Sequence, residues 1–304
     1  MPFDSTLNLQ TLNKEAEAMR LQEPERALEL AREAERLARE QGDSKALAES
    51  LLNIGAACWR LERHSEGKQA ISEAITIFTS HDDARGKATA YQILGHLHRE
   101  MNEMNDALLA HQESLKWAEA IGEKKSIANQ LNNIATLYGM FADYSKALEF
   151  LLKSLAVRQE LGDRYGEAST RNNIGLVYKL SGEYQNALKE YQASLAIFES
   201  LNLKKEAAMV LGNLGSALER VGDYENAFIC HERALNLYES INSLNGIATA
   251  RHNLAIVYER MGKRKDAMRL FGEALALGEQ MNDKIIMANA CLNLGKLYAN
   301  QNLD

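Results

Sequence analysis

Asparagine recurs every forty residues along most of this sequence, just before an apolar residue and a small one, as in Asn173-Ile174-Gly175. The pattern is interrupted once, by Ile93. A carboxamide offers two N–H donors and an acceptor oxygen. A row of carboxamides at equal spacing therefore predicts hydrogen bonds to the main chain of an extended peptide, whatever the sequence of that peptide. The row consists of Asn53, Asn133, Asn173, Asn213, Asn253 and Asn293.

Helical geometry predicts that further polar residues lie beside this row. Each residue of an α-helix is rotated by about 100° from the one before it. Asn133 therefore points away from the apolar stripe that contains Leu131 and Ile134. We expect the same inner surface to carry further amides, one histidine and several basic residues. These candidates are Asn129, Asn132, Asn172, His252, Arg99, Lys179, Arg220 and Arg260.

Two interpretations of these residues stay open. The asparagine side chains either bind the backbone of a ligand in some copies or bridge neighbouring helices as part of the repeat itself. The basic residues either attract an acidic ligand or form a solvated charged rim, with Glu49, Glu219 and Glu259 close by and opposite in sign.

Other residue patterns give no indication of catalysis. The sequence contains no phosphate-binding loop, no serine-hydrolase elbow and no H-E-x-x-H zinc motif. Its three cysteines, Cys58, Cys230 and Cys291, are far apart and odd in number, which argues against a disulfide framework or a zinc site. We expect no enzymatic activity, no metal and no cofactor.

Charge and hydropathy exclude further partners. The net charge is −7 and no basic block occurs, which argues against nucleic acid as the main partner. No stretch approaches the roughly 18 consecutive apolar residues of a membrane span. The first twenty residues lack the pattern of a signal peptide. We expect a cytoplasmic protein without a membrane partner.

The asparagine row belongs to a repeat of forty residues, and fixed self-similarity at such a period indicates a stacked array of helical units. Residues 44–283 hold six full copies. Residues 5–43 are a weaker copy that fits an N-terminal capping repeat, with Glu15 where later copies have Gly or Ala. Residues 284–304 form one further helix, which is either a C-terminal cap or a truncated copy. We therefore expect a single all-α solenoid of antiparallel helix pairs over residues 5–304.

Turn residues recur between the predicted helices. Glycine, asparagine and aspartate tolerate the left-handed conformation that ends many helices. We expect this conformation after each second helix, at Gly42, Asp82, Gly122, Gly162, Asn202, Asn242 and Asn282. Within the copies we expect turns at Asn102, Gly182, Gly222 and Gly262.

The repeat resembles the tetratricopeptide family. Leu254-Ala255-x-x-Tyr258, followed by Ala267-x-x-x-Phe271 and Ala274, is similar to the family pattern L-G-x-x-Y…A-x-x-x-F…A. The copies span forty residues instead of thirty-four and lack the closing proline, as in the long-helix type of kinesin light chains, Leu-Gly-Asn-repeat adaptors and bacterial signalling proteins. The resemblance implies a right-handed superhelical solenoid whose first helices line a concave groove, where asparagine commonly holds ligand backbone.

The function that we expect is a non-catalytic scaffold that binds a peptide or protein segment in this groove. The alternative is an N-terminal regulatory or sensor module of a larger bacterial signalling protein. The resemblance implies for that case an output domain beyond Asp304, such as a nucleotide cyclase, a kinase or a DNA-binding domain. A further expectation is self-association through the C-terminal face formed by residues 284–304.

Overall fold

The computed structural model describes residues 8–299, which form fifteen α-helices joined by short turns, with no strand in this range. The predicted outer boundaries at residues 5 and 304 lie outside the described residues. The helices are α1 (Leu9–Met19), α2 (Pro24–Gln41), α3 (Ser44–Arg60), α4 (His64–Ser80), α5 (Ala84–Glu100), α6 (Met104–Ala120), α7 (Lys124–Met140), α8 (Tyr144–Glu160), α9 (Arg164–Leu180), α10 (Tyr184–Ser200), α11 (Lys204–Val221), α12 (Tyr224–Ser240), α13 (Leu244–Arg260), α14 (Arg264–Met281) and α15 (Lys284–Ala299).

The chain divides into two compact units between Val157 and Arg158, near the end of α8. Unit 1 precedes this point and unit 2 follows it. Within each unit consecutive helices pack against each other, as α5 against α6 and α9 against α10. Odd-numbered helices, the first helices of the copies, also contact one another, as α3 contacts α5 and α11 contacts α13. The predicted all-α solenoid of helix pairs is therefore confirmed.

The turns after the second, even-numbered helices have the predicted left-handed residue. Asn282, for example, follows α14 with φ 53° and ψ 35°. All seven predicted positions have positive φ: Gly42, Asp82, Gly122, Gly162, Asn202, Asn242 and Asn282. The four predicted within-copy positions, Asn102, Gly182, Gly222 and Gly262, share this conformation. Two more left-handed residues, Glu62 and Ala142, both at φ 59°, have no such signal in the sequence.

The first helices begin at side-chain caps in several copies. The Asp43 carboxylate accepts from the Ala46 N–H, and the Asp163 carboxylate accepts from the Gly166 N–H at 2.9 Å. Such a cap satisfies one of the backbone donors that a helix N-terminus leaves without an intrahelical partner. Pro24 begins α2, at the helical position where its missing N–H costs nothing.

Small residues on the first helices make room for rings from the second helices. A Cβ on Gly175 would lie 2.8 Å from the ring of Tyr191, which is fully buried. A Cβ on Gly215 would lie 2.6 Å from the ring of His231. These approaches are closer than real Cβ contacts, so Gly175 and Gly215 leave space that a Cβ would take from these rings.

Buried serines tie the two helices of a copy together. The Ser194 hydroxyl on α10 donates to the Ala168 carbonyl oxygen on α9 over 2.7 Å, and the serine is fully buried. Two copies in unit 1 repeat this bond at the same separation of 26 residues. They are Ser114 with Ala88 and Ser154 with Ala128. Within residues 8–299 no helix has the length and apolar character that a membrane span requires.

Candidate functional site

The first helices of each unit lie side by side and present a common surface. In unit 2, α9 contacts α11, α11 contacts α13 and α13 contacts α15. We call the side chains that the odd-numbered helices present away from the second helices the first-helix surface, and we treat it separately in each unit. The asparagine row and the predicted basic residues lie on these helices.

In unit 2, members of the asparagine row bridge adjacent first helices. The Asn213 carboxamide nitrogen donates to the Asn172 carboxamide oxygen at 2.9 Å, and the Asn293 nitrogen lies 3.3 Å from Nε2 of His252. Both pairs are 41 residues apart, so each asparagine meets the residue just before the row in the preceding copy. Asn172 is buried, whereas the other three side chains are half-buried.

In unit 1 the first member of the row is enclosed. Asn53 is only 5% exposed, and its carboxamide nitrogen donates to the Asn13 carbonyl oxygen at 3.0 Å. The Asn13 side chain in turn donates to the Ala46 carbonyl oxygen and accepts from the Ser50 hydroxyl. Through this buried network the Asn53 amide joins α1 to α3. The geometry at this copy fits the bridging interpretation.

Two members of the row differ from the others. Within residues 8–299, the Asn133 and Asn253 carboxamides have no hydrogen-bond partner, and both side chains are half-buried. At Asn253 the cause is visible: the facing residue of the preceding copy is Gly212, which has no side chain. A Cβ on Gly212 would lie 4.0 Å from the Asn253 nitrogen. The remaining predicted amides, Asn129, Asn132 and Asn173, are half-buried and engaged in interactions.

The basic candidates fall into two groups. Arg99 in unit 1 pairs with its neighbour Glu100 at 2.8 Å. In unit 2, by contrast, Lys179, Arg220 and Arg260 have no carboxylate within 4.0 Å among the residues that the structure describes. Arg220 and Arg260 are exposed and Lys179 is half-buried.

Lys179 and Arg220 are close enough to influence each other. Burial lowers the pKa of the Lys179 ammonium, and the positive charge of Arg220 lowers it further, while Glu219 acts in the opposite direction. Glu219 lies against the fully buried His231, whose Nε2 is 2.9 Å from the carboxylate. The Glu219 carboxylate is therefore already in contact with a ring nitrogen.

Two rings on neighbouring first helices of unit 1 form an aromatic stack, which the forty-residue spacing does not predict. The Trp59 ring on α3 stacks on the His96 ring on α5 with centroids 4.6 Å apart and an angle of 9° between planes. His96 meets His111 edge to face at 5.0 Å, and Nδ1 of His111 lies 2.9 Å from the Gln130 side-chain oxygen. Burial lowers the pKa of His96 to about 3 and that of His111 to about 4. Both rings are therefore neutral at pH 7.

One cluster has the residue types of a metal site. The ligand atoms of His98, Glu103 and Asp106 lie within 4.8 Å of one another. Glu103, however, already contacts Nδ1 of His98 and the Lys68 ammonium, the latter at 2.8 Å. The Lys68 ammonium therefore already supplies the positive charge that a metal ion would bring to Glu103. The group is a salt-bridge cluster at the start of α6.

The sequence matches the family profile described as tetratricopeptide repeat over residues 86–160, 126–200 and 206–280, which together cover more than half of the chain. This chain belongs to the tetratricopeptide repeat family. A second profile, of anaphase-promoting complex subunit 5, matches this repeat protein over residues 4–54 and 46–100. No curated protein matches its sequence.

Solved structures of several tetratricopeptide proteins have a similar fold. The apo form of RapI has a TM-score of 0.77 and 16% identity, over 95% of this chain and 82% of RapI. A signal transduction ATPase with numerous domains from Pyrococcus horikoshii, which has a tetratricopeptide repeat sensor, has the same TM-score of 0.77 and identity of 16%; the match covers 93% of this chain but only 44% of that protein. A Rap protein complexed with competence and sporulation factor has a TM-score of 0.64 and 14% identity, over 99% of this chain and 89% of that one. At such identities the likeness establishes the fold.

The α15 helix of this repeat protein exposes the face that other first helices bury. No neighbour among the described residues lies within 4 Å of a Cβ placed on Gly295, whereas the equivalent Gly215 contacts a ring. Leu292 and Tyr298 are 58% and 54% exposed, and Cys291 is also exposed. The C-terminal face predicted from the sequence is thus apolar and open in the described part of the chain.

Proposed function

We propose that this tetratricopeptide repeat protein is a non-catalytic scaffold that binds an extended peptide or protein segment on its first-helix surface. The observation that carries the proposal is the row of carboxamides, in which Asn133 and Asn253 have no partner among the described residues. A half-buried amide without a partner gains a hydrogen bond when a peptide group of a ligand reaches it.

The unpaired amides suit the main chain of an extended ligand. Each carboxamide donates to a ligand carbonyl oxygen and accepts from a ligand N–H, so the contact does not depend on ligand side chains. The bridging amides, such as Asn213, keep adjacent first helices in register and so hold the unpaired ones in place. Neighbouring charged and apolar side chains then select among ligands. The complex of a similarly folded Rap protein with competence and sporulation factor supports a ligand-binding role for this fold.

A peptide-display selection tests the proposal. Peptides selected on the wild-type protein are measured by calorimetry against Asn133→Ala, Asn253→Ala and the control Asn105→Ala, which removes an exposed amide from the second helix α6. We expect one of the first two variants to weaken binding about tenfold, the equivalent of one hydrogen bond of about 1.4 kcal/mol. Asn105→Ala should bind as the wild type does. Equal affinity of all three variants would overturn the proposal.

A second candidate function is the sensor module of a larger signalling protein. The match to the ATPase with a tetratricopeptide repeat sensor favours it, because this chain covers less than half of that protein. In this case an output domain beyond Asp304 would respond to ligand binding on the repeats. The complete reading frame decides the question: an encoded output domain supports this function, and a stop codon directly after Asp304 contradicts it.

Self-association is a separate proposal for α15. Its open face carries Leu292 and Tyr298, which a second copy would remove from water. Light scattering over a range of concentrations should show growth in mass that Leu292→Glu abolishes. A constant monomer mass at the highest concentration would contradict this proposal.

A further inference from the structure

The first-helix surface of unit 2 carries two neighbouring cations without counterions. Lys179 lies in the last turn of α9 and Arg220 in the last turn of α11, and these two helices contact each other. Among the described residues neither side chain has a carboxylate within 4.0 Å. Most arginines of unit 2 that lie on the other parts of the helices are paired, such as Arg171 with Glu167 and Glu190. Arg260 also lacks a carboxylate partner, so what distinguishes Lys179 and Arg220 is that the charge of one influences the other across two contacting helices.

The surroundings explain how the protein holds these like charges together. The C-terminal end of a helix carries a partial negative charge that favours cations in the last turn. Glu219, the carboxylate that raises the pKa of Lys179, lies against the buried His231. Each cation thus receives support from its own helix, but neither is neutralised. The mutual repulsion, seen in the lowered pKa of Lys179, decreases when an anion binds between them.

Apolar side chains adjoin the cations on the same helix face. Leu176 and Leu180 are three residues before and one residue after Lys179, and they are four residues apart, so they lie next to each other on α9. Leu180 is 51% exposed and Leu176 is 37% exposed. Exposed leucines beside unpaired cations form a surface that complements a ligand with an acidic group next to an apolar one.

We propose that Lys179 and Arg220 form the charge-recognition site for the ligand, and that they bind an aspartate or glutamate side chain of the bound segment, with an apolar residue of the segment against Leu176 and Leu180. This inference rests on the proposed function and names the chemistry of its ligand. Lysine and arginine supply charge-assisted hydrogen bonds to the carboxylate, which are stronger than those between neutral groups.

The test compares charged and neutral forms of the same peptides. Peptides selected by display on the wild-type protein are synthesised in two forms, with each acidic residue present or replaced by its amide. Both forms are titrated against the wild type, Lys179→Met, Arg220→Met and the control Lys189→Met, which removes an exposed lysine from the second helix α10. Circular dichroism confirms that each variant is folded.

We expect one acidic position in the selected peptides to weaken binding to the wild type about tenfold when it becomes an amide. The same change should have little effect on Lys179→Met or Arg220→Met, because the partner of the carboxylate is already gone. Lys189→Met should behave as the wild type. The affinity for the acidic form should also fall as salt increases, since ions screen this contact.

Three outcomes would overturn the inference, and they show whether the proposed function fails with it. If binding depends on Asn133 or Asn253 but ignores the acidic residue, only the charge-recognition site is wrong. If no selected peptide depends on these asparagines, the proposed function is wrong as well. An acidic residue that matters equally in all four proteins would place its partner elsewhere and also contradict the inference.

Discussion

The Asn213 carboxamide donates to the Asn172 carboxamide over 2.9 Å and so joins two neighbouring first helices of unit 2. One copy later, Asn253 occupies the same repeat position but faces Gly212, which offers no side chain to bind. A single repeated residue type therefore has two roles, as a bridge in one copy and as an open hydrogen-bonding group in the next. The facing residue, 41 positions earlier, decides which role each asparagine has.

Replacing the two asparagines by alanine should separate these roles in stability. Asn213→Ala removes a half-buried bond and leaves the buried Asn172 without its donor, so we expect a loss of about 1 kcal/mol in the free energy of unfolding. Asn253→Ala should be neutral or slightly stabilising, because it loses no bond and alanine is the better helix former. Urea unfolding followed by circular dichroism measures both. An equal loss in the two variants would contradict the assignment of roles.

The left-handed turn residues predict opposite effects of glycine and alanine. Ala142 has φ 59°, a conformation that costs a residue with a side chain about 1 kcal/mol, so Ala142→Gly should stabilise the protein by about that amount. Gly182 has φ 85°, and Gly182→Ala should destabilise it by a similar amount.

Gly272 is the matched control for these turn variants. It lies inside α14, and a Cβ at this residue would meet open space. Gly272→Ala should therefore stabilise the protein by about 1 kcal/mol, the usual helix preference of alanine over glycine. Thermal unfolding would contradict the account if Gly182→Ala and Gly272→Ala shifted the midpoint in the same direction.

The buried serines Ser114, Ser154 and Ser194 allow a test of the hydrogen bond between the two helices of a copy. Ser194→Ala removes the hydroxyl that donates to the Ala168 carbonyl oxygen, and we expect a loss of about 1 kcal/mol. The equivalent residue of the next copy, forty positions later, is already an alanine, Ala234, which is 1% exposed. Ala234→Ser should cost less than Ser194→Ala, because the repeat geometry offers the new hydroxyl a carbonyl partner. A larger loss for Ala234→Ser in chemical denaturation would refute this.

The buried histidines of unit 1 predict a loss of stability in mild acid. His96 has a pKa of about 3 in the folded protein because it is buried, against about 6.5 in an unfolded chain. Between these values the unfolded state binds more protons, so the free energy of unfolding decreases as the pH falls below about 6.5.

The variant His96→Leu isolates this contribution, because Leu176 occupies the equivalent position in unit 2. From pH 7 to pH 5.5 the wild type should lose about 1 kcal/mol more than His96→Leu does. Unfolding in urea at the two pH values gives the difference. If the wild type and the variant lose the same amount, the His96 ring is not held neutral by burial.

Repetition explains why much of the fold was predictable. Each forty-residue copy carries its own apolar stripe and small residues, and Gly, Asn or Asp ends each second helix in the full copies. These are local signals, and seven copies of them reinforce one another. Glu62 and Ala142 were missed because neither residue type favours the left-handed conformation. Both residues occupy the repeat position of Asn102 and Gly182, so the turn follows the repeat and not the local residue type.

The candidate site was less predictable because it depends on pairs of residues in different copies. The forty-residue spacing identifies Asn213 and Asn253 as equivalent residues. Whether each amide is paired depends on the residue 41 positions earlier, which is Asn172 for Asn213 and Gly212 for Asn253. Trp59 and His96 stack on each other but are 37 residues apart, so the forty-residue spacing does not identify them as a pair. Spacing thus places residues on a face, and packing between neighbouring copies determines their partners.

Site-specific photo-crosslinking tests the location of the ligand most directly. A photoreactive phenylalanine derivative replaces Met209, an exposed residue of α11, or Gln192, an exposed residue of the second helix α10. Each protein is irradiated with a display-selected peptide, and the products are mapped by mass spectrometry. We predict crosslinks from position 209 that the unlabelled peptide competes away, and none from position 192. Crosslinks from position 192 alone would contradict ligand binding on the first-helix surface.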